Sequence, residues 1–181
     1  MRIAIFRKTK GSNHLSENRS MKILFVCLGN ICRSPLAEAV FKEKSRKMNA
    51  THLEADSCGT SNYNIGDDPD PRTQRSAHKN KIPISHRARQ LTRNDISRFD
   101  LILAMDHSNL RDIQRLCETK DLEKVKLFRD YDPLGSGDVP DPYYGAEKDF
   151  QEVFEIIDRT MDSLIRELIS RRDAEAQRSQ S

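Results

Sequence analysis

At 181 residues the chain is long enough for one domain with a real core and hardly long enough for two. Hydrophobic residues make up 36% and charged residues 33%, yet the apolar residues fall in separate blocks, which argues against wholesale disorder. No apolar stretch approaches the roughly 18 residues of a membrane helix, so no membrane span is expected. Met1–Phe6 is too short, and too interrupted by Arg2, for a secretory core.

Four cysteines, at positions 27, 32, 58 and 117, form no dense framework and point to a reduced, cytoplasmic protein. Five cations against one anion leave residues 1–20 at +4 and the rest of the chain at −1. The body is therefore not a nucleic-acid binder by charge, and the absence of tryptophan with 6% aromatics argues against base stacking.

Residues 1–20 lack periodicity and read as a flexible basic leader. Met21 directly precedes the first strand and is an alternative start of translation. Met21–Cys27 (MKILFVC) is a continuous apolar run, as a buried parallel strand should be. Leu28–Arg33 is a loop, and a helix follows with Ser34 as its N-cap and Pro35 at its first position. Leu53–Ser57 reads as a second strand. Ser61–Pro71 is rich in turn residues and Arg72–Asn80 is helical. Leu101–Met105 (LILAM) is a third strand, His107–Cys117 a helix, and Val125–Phe128 a fourth strand. Tyr131–Gly145, with three prolines and three glycines, is predicted irregular. Phe150, Val153, Phe154, Ile157, Met161, Leu164, Ile165 and Leu168 mark a long amphipathic helix. Beyond Arg172 the polar tail 173–181 is expected to fray.

Strands alternating with helices predict a single doubly wound α/β domain over 21–172, with a small four-stranded parallel sheet and helices on both faces. Ligands of such sheets sit beyond the carboxyl ends of the strands, so the loop after the first strand is where chemistry is expected. Neither nucleotide-binding glycine motif is present.

That loop reads Cys27-Leu28-Gly29-Asn30-Ile31-Cys32-Arg33-Ser34-Pro35. The spacing lets backbone N–H groups of residues 28–33 wrap one tetrahedral anion at a helix N-terminus. Gly29 and Asn30 tolerate the positive φ of a tight cradle. Arg33 offers a planar fork for two phosphate oxygens. The same positive field favours the thiolate of Cys27, placed for in-line attack on phosphorus. The plainer reading of a lone cysteine, a small buried hydrophobe at a strand end, does not account for Cys-x5-Arg-Ser. A general acid is also needed, because an aryl or alkyl oxide leaves poorly without a proton. Asp141, between Pro140 and Pro142, is the candidate, and Tyr143 and Tyr144 beside it suit an aromatic ring. Asp132 before Pro133 is a rival carboxylate that spacing does not exclude.

Val26–Pro35 (VCLGNICRSP) resembles the signature of the low-molecular-weight protein tyrosine phosphatases, and Asp141-Pro142-Tyr143-Tyr144-Gly145 resembles that family's acid loop. So do Asp56–Thr60, Ile82–Gln90 and Met105–Leu110, so the similarity runs from about Met21 to Arg172. The resemblance implies a protein-tyrosine phosphatase with Cys27 as nucleophile, Arg33 as transition-state clamp and Asp141 as acid, then base. It implies a phosphocysteine intermediate, phosphotyrosine proteins or peptides as substrate, inorganic phosphate as product, and no metal or other cofactor. Asn30, Ser34, Ser57 and His86 would form a supporting network, and Tyr63, Tyr143 and Tyr144 would line the entrance. Cys32 would pair with Cys27 under oxidation, sheltering it from irreversible damage. Cys58 stands where the family more often has a small apolar residue, and Asn80 stands near a place where it often has a second histidine.

Two other readings compete. An arsenate reductase of the thiol-linked type shares the fold but needs relay cysteines in the later chain, where Cys117 stands alone. A phosphate-binding module without turnover would not require a nucleophile.

Overall fold

The computed structural model describes residues 19–179. Of the leader predicted over 1–20, only Arg19 and Ser20 fall within that range, and Arg19 pairs with Asp100 at 2.6 Å. Four strands form one parallel sheet in the order β2-β1-β3-β4: β1 Met21–Cys27, β2 Leu53–Gly59, β3 Leu101–Ala104 and β4 Val125–Leu127. Five α-helices connect or follow them: α1 Arg33–Lys47, α2 Pro71–Lys79, α3 Arg93–Arg98, α4 His107–Gln114 and α5 Glu147–Ser179. Short 3-10 turns cover Thr119–Lys124 and Phe128–Tyr131.

The two faces of the sheet are read directly from β1. Ile23 and Phe25 point to one face, with Leu36, Val40 and Phe41 of α1 and Ile157, Met161 and Leu164 of α5. Phe25 meets Phe41 and Phe128 edge-on at ring separations of 5.7 and 5.8 Å. Leu24 and Val26 point to the other face, with Ile96 of α3, Phe99 and Ile113 of α4. Both faces are covered, which is why β1 is apolar without alternation from Ile23 to Cys27.

The strand order places the site. β1 has β2 on one side and β3 on the other, so the chain leaves β1 at the point where the winding reverses, a natural crevice. In register, Cys27 of β1 lies beside Gly59 of β2, and Val26 beside Ala104 of β3. Three strands thus end at one level, and the loops after them face one another.

Several boundaries differ from the sequence expectation. Helix α1 starts at Arg33 with Cys32 in the cap position, so Ser34 is not its N-cap; the Ser34 hydroxyl turns inward instead. Helix α2 is capped by Asp70, whose carboxylate accepts from the Arg72 N–H, with Pro71 in the first turn. Helix α3 was not predicted, being too short to show periodicity, yet Thr92 and Asp95 cap it reciprocally. Helix α5 continues past Arg172 through Ser179, because Ala174, Glu175, Ala176 and Gln177 are strong helix formers. Among the described residues no helix is long and apolar enough to cross a membrane.

Candidate active site

Residues 27–33 form a hollow ring at the carboxyl end of β1. The carbonyls of Cys27 and Leu28 accept from the backbone N–H groups of Thr60 and Ser61. The carbonyl of Gly29 accepts from Asn64 Nδ2 and that of Ile31 from Asp70 N. Each of these carbonyls is drawn outward by a donor from another segment. In a trans peptide the next N–H points the opposite way, so the peptides of this loop present their donors to the hollow. Asn30 adopts φ 57°, the left-handed turn that reverses the chain without a glycine.

Cys27 lies at the floor, 2% exposed. Its Sγ accepts from the Asn30 N–H at 3.3 Å and lies 3.0 Å from Ser34 Oγ. Asn30 is 1% exposed and uses its full side-chain capacity. Its Nδ2 donates to Ser34 Oγ (2.9 Å) and Ser57 Oγ (3.0 Å). Its Oδ1 accepts from the Arg89 N–H at 2.9 Å and lies 2.7 Å from His86 Nε2. Ser57 in turn donates to Glu38 Oε2 at 2.7 Å, and His86 Nδ1 lies 3.0 Å from the same oxygen. The chain Cys27–Ser34–Asn30–Ser57–Glu38 therefore ties the sulfur to α1 and β2 through buried hydrogen bonds. Burial opposes the charge of Glu38, but bonds from His86, Lys42 and Ser57 outweigh it and hold its carboxyl below the usual range.

Arg33 closes the ring and is 2% exposed. Its Nη1 donates to Asp106 Oδ2 (2.7 Å) and the Val139 carbonyl (3.1 Å), and its Nη2 to Asp141 Oδ2 (2.6 Å). Burial works against its charge, but the Cys27 sulfur and the Asp141 and Asp106 carboxyls outweigh it and push its pKa up. Cys32, 5% exposed, has its thiol pushed up to about 12, by burial first and then by Asp70. All four cysteines are unpaired thiols. Cys58 is fully buried among Leu24, Val26 and Ile96 on the far face, and its carbonyl accepts from Ser34 Oγ at 3.3 Å.

The hollow opens into a cavity of about 250 Å³ lined by Cys27, Leu28, Gly29, Ile31, Cys32, Arg33, Tyr63, Asn64, Asp141, Tyr143 and Tyr144. Tyr143 and Tyr144 meet edge-on at 5.0 Å, with Tyr143 44% and Tyr144 97% exposed. The rival Asp132 is far from this chemistry by its bonding. It is buried and takes Arg159, Arg129 and the Leu134 N–H.

Sequence reasoning missed Glu38, Asp106, Asn64 and Gly59. Glu38 could have been found as the one carboxylate inside the apolar stripe Leu36–Phe41. Asp106 stands two residues after the end of β3, where the strand-end rule places functional side chains. Gly59 leaves no trace in its own segment: a Cβ there would lie 2.6 Å from Leu28 O and 3.1 Å from Asn30 N. Glu38, Asp56 and His86 also bring three potential metal ligands within 4.8 Å, a cluster that sequence distance hides. Their ligand atoms are engaged by Ser57, Lys42, Asn30 and Arg89, so the positive charge that Asp56 faces is a guanidinium.

Fold and site together define an α/β protein with a buried cysteine and arginine on one loop at the carboxyl end of a parallel strand. The family model described as low molecular weight phosphotyrosine protein phosphatase matches residues 22–174. The low molecular weight phosphotyrosine protein phosphatase of Pongo abelii is 46% identical over 144 residues, covering 78% of this chain and 91% of that protein. The low molecular weight protein-tyrosine-phosphatase of Streptomyces coelicolor is 43% identical over 149 residues, covering 80% and 91%. A solved protein tyrosine phosphatase from Entamoeba histolytica superposes with TM-score 0.81 at 37% identity, covering 83% of this chain and 98% of that one. The chain belongs to the low molecular weight phosphotyrosine protein phosphatase family.

Proposed function

We propose that this protein hydrolyses phosphotyrosine in proteins or peptides through a phosphocysteine on Cys27, with Arg33 as clamp and Asp141 as acid and base. The observation that carries this reading is the convergence of Sγ, the Arg33 fork and the Asp141 carboxyl on one cavity. A phosphoryl group seated in the ring of N–H donors takes over Arg33 Nη2 and leaves the Asp141 carboxyl to the bridging ester oxygen. The Cys27 thiolate attacks phosphorus, forming the S–P bond as the P–O bond breaks, and Asp141 gives its proton to the departing tyrosine oxygen. Water then attacks the phosphocysteine and gives a proton to Asp141. The S–P bond breaks and inorganic phosphate leaves. Donors fixed in advance around the equatorial oxygens stabilise both transition states without reorganisation.

Asn30, Ser34, Ser57 and His86 hold the ring and the sulfur in place. Tyr63, Tyr143 and Tyr144 border the entrance and favour an aryl ester. No cofactor enters these steps, and the site of action is the cytoplasm. Cys32 serves as the resolving thiol: peroxide oxidises the Cys27 thiolate to a sulfenic acid, Cys32 attacks it with loss of water, and a thiol reductant restores both.

The test is release of inorganic phosphate from a phosphotyrosine peptide beside a phosphoserine peptide, with chelator present and Cys27→Ser as control. Turnover of the phosphotyrosine peptide alone, lost in Cys27→Ser, is expected. No turnover by freshly reduced protein would sink the reading, and thioredoxin-dependent arsenate turnover would favour the reductase.

A further inference from the structure

The acid loop needs two anchors if Asp141 is to stay over the sulfur. The near anchor is the buried Val139, whose N–H donates to Met105 O at 2.7 Å and whose carbonyl accepts from Arg33. Beyond Asp141 the chain turns tightly, with Gly145 N–H on Pro142 O at 2.8 Å, and enters α5. The far anchor comes from another element. Arg72, in the first turn of α2, donates from Nη1 to the Gly145 carbonyl at 3.2 Å. Its guanidinium carbon lies 4.5 Å from the centre of the Phe150 ring and 5.8 Å from that of Tyr143. Phe150 is 2% exposed, so the plane of the guanidinium rests on a fixed core residue.

Arg72 is itself held. Asp70 Oδ1 accepts its Nε at 3.0 Å and Asp70 Oδ2 its Nη2 at 2.8 Å, a two-point fork. Asp70 is buried, and its own N–H donates to the Ile31 carbonyl of the anion ring at 2.8 Å. A continuous strut therefore runs from the ring through Asp70 and Arg72 to Gly145 and the Tyr143 wall.

We propose that Arg72 is a positioning residue that fixes the far end of the acid loop, and with it Asp141 and Tyr143, relative to the anion ring. The inference rests on the phosphatase reading above. Arg72 touches no reacting atom; it acts through Asp141. Charge alone does not supply this role, because a lysine ammonium has neither the fork for Asp70 nor the plane that lies on Phe150.

The experiment compares wild type, Arg72→Ala and Arg72→Lys on phenyl phosphate and nitrophenyl phosphate, which differ mainly in how much the leaving oxygen needs a proton. For both variants kcat/KM on phenyl phosphate should fall about tenfold, a fraction of the ~10²–10⁴ that acid catalysis contributes. On nitrophenyl phosphate it should fall by less than about threefold, and the inhibition constant of inorganic phosphate should stay within about twofold. Placed in an Asp141→Ala background, Arg72→Ala should add less than about twofold on phenyl phosphate, because both changes act through one group. An equal loss on both esters, a parallel rise in the phosphate inhibition constant, or full rescue by lysine would overturn the proposal. Failure of the wild type to release phosphate from either ester would instead remove the phosphatase reading on which it stands.

Discussion

A single methyl group at Gly59 would reach the anion ring. The added Cβ meets the Leu28 carbonyl and the Asn30 N–H, neither of which is the end of a flexible side chain. Gly59→Ala should weaken inhibition by inorganic phosphate and raise KM. The overpacking should also cost about 1–3 kcal/mol of stability, read from a urea midpoint. At Asp141 the expected change is in chemistry, not folding. Asp141→Ala should slow phenyl phosphate by about 10²-fold or more and nitrophenyl phosphate much less; an equal loss on both would remove Asp141 as acid. The Cys32 thiol, pushed up to about 12 chiefly by burial, stays protonated and so should not be the first to be oxidised. After peroxide sufficient to carry an unprotected sulfenic acid on to sulfinic acid, thiol should restore wild-type activity and leave Cys32→Ser largely inactive, and equal recovery would contradict the resolving role. At this scale the sequence was legible where chemistry and spacing coincide, as in Cys-x5-Arg-Ser. It was silent where a residue matters through a neighbour distant in the chain. Glu38 meets Ser57 and His86 only because α1 lies over the end of β2.

Among elements, the irregular stretch between β4 and α5 shows how a loop without regular structure is kept in one shape. Asp132 is its fastener. Burial opposes its charge, but two arginines, Arg159 of α5 and Arg129, together with the Leu134 N–H, outweigh that and bring its pKa to about 2. A carboxyl depressed in the folded state adds stability that is full above its ordinary value near 4. That stability is lost as pH falls towards 2, about 2 kcal/mol in all. Wild type should therefore lose stability between pH 4 and 2 more steeply than Asp132→Asn, as followed by urea midpoints. Identical slopes would show that the arginines hold the loop without Asp132. Apolar blocks made the strands and the long helix visible in the sequence. Helix α3 was not, because a capping box rather than apolar periodicity sets it, and neither was the start of α1, which has no side-chain cap at all.

Among the described residues, the strand order β2-β1-β3-β4 makes the end of β1 a crevice where loops from three strands converge. A four-stranded parallel sheet covered on both faces was evident from the alternation of elements, but the order of its strands was not, since local sequence does not encode crossovers. The order explains why Cys27, Asp106 and Gly59 meet although they stand at or just after the ends of three different strands. The direct test is to mix the wild-type protein with excess phosphotyrosine peptide, quench in acid within the first turnover, and examine the peptide containing Cys27 by mass spectrometry. One added phosphoryl group on Cys27 is expected, absent from Cys27→Ser and from protein mixed with the unphosphorylated peptide. Release of phosphate with no phosphoryl group ever found on Cys27 would contradict it, and would mean that water attacks the ester directly.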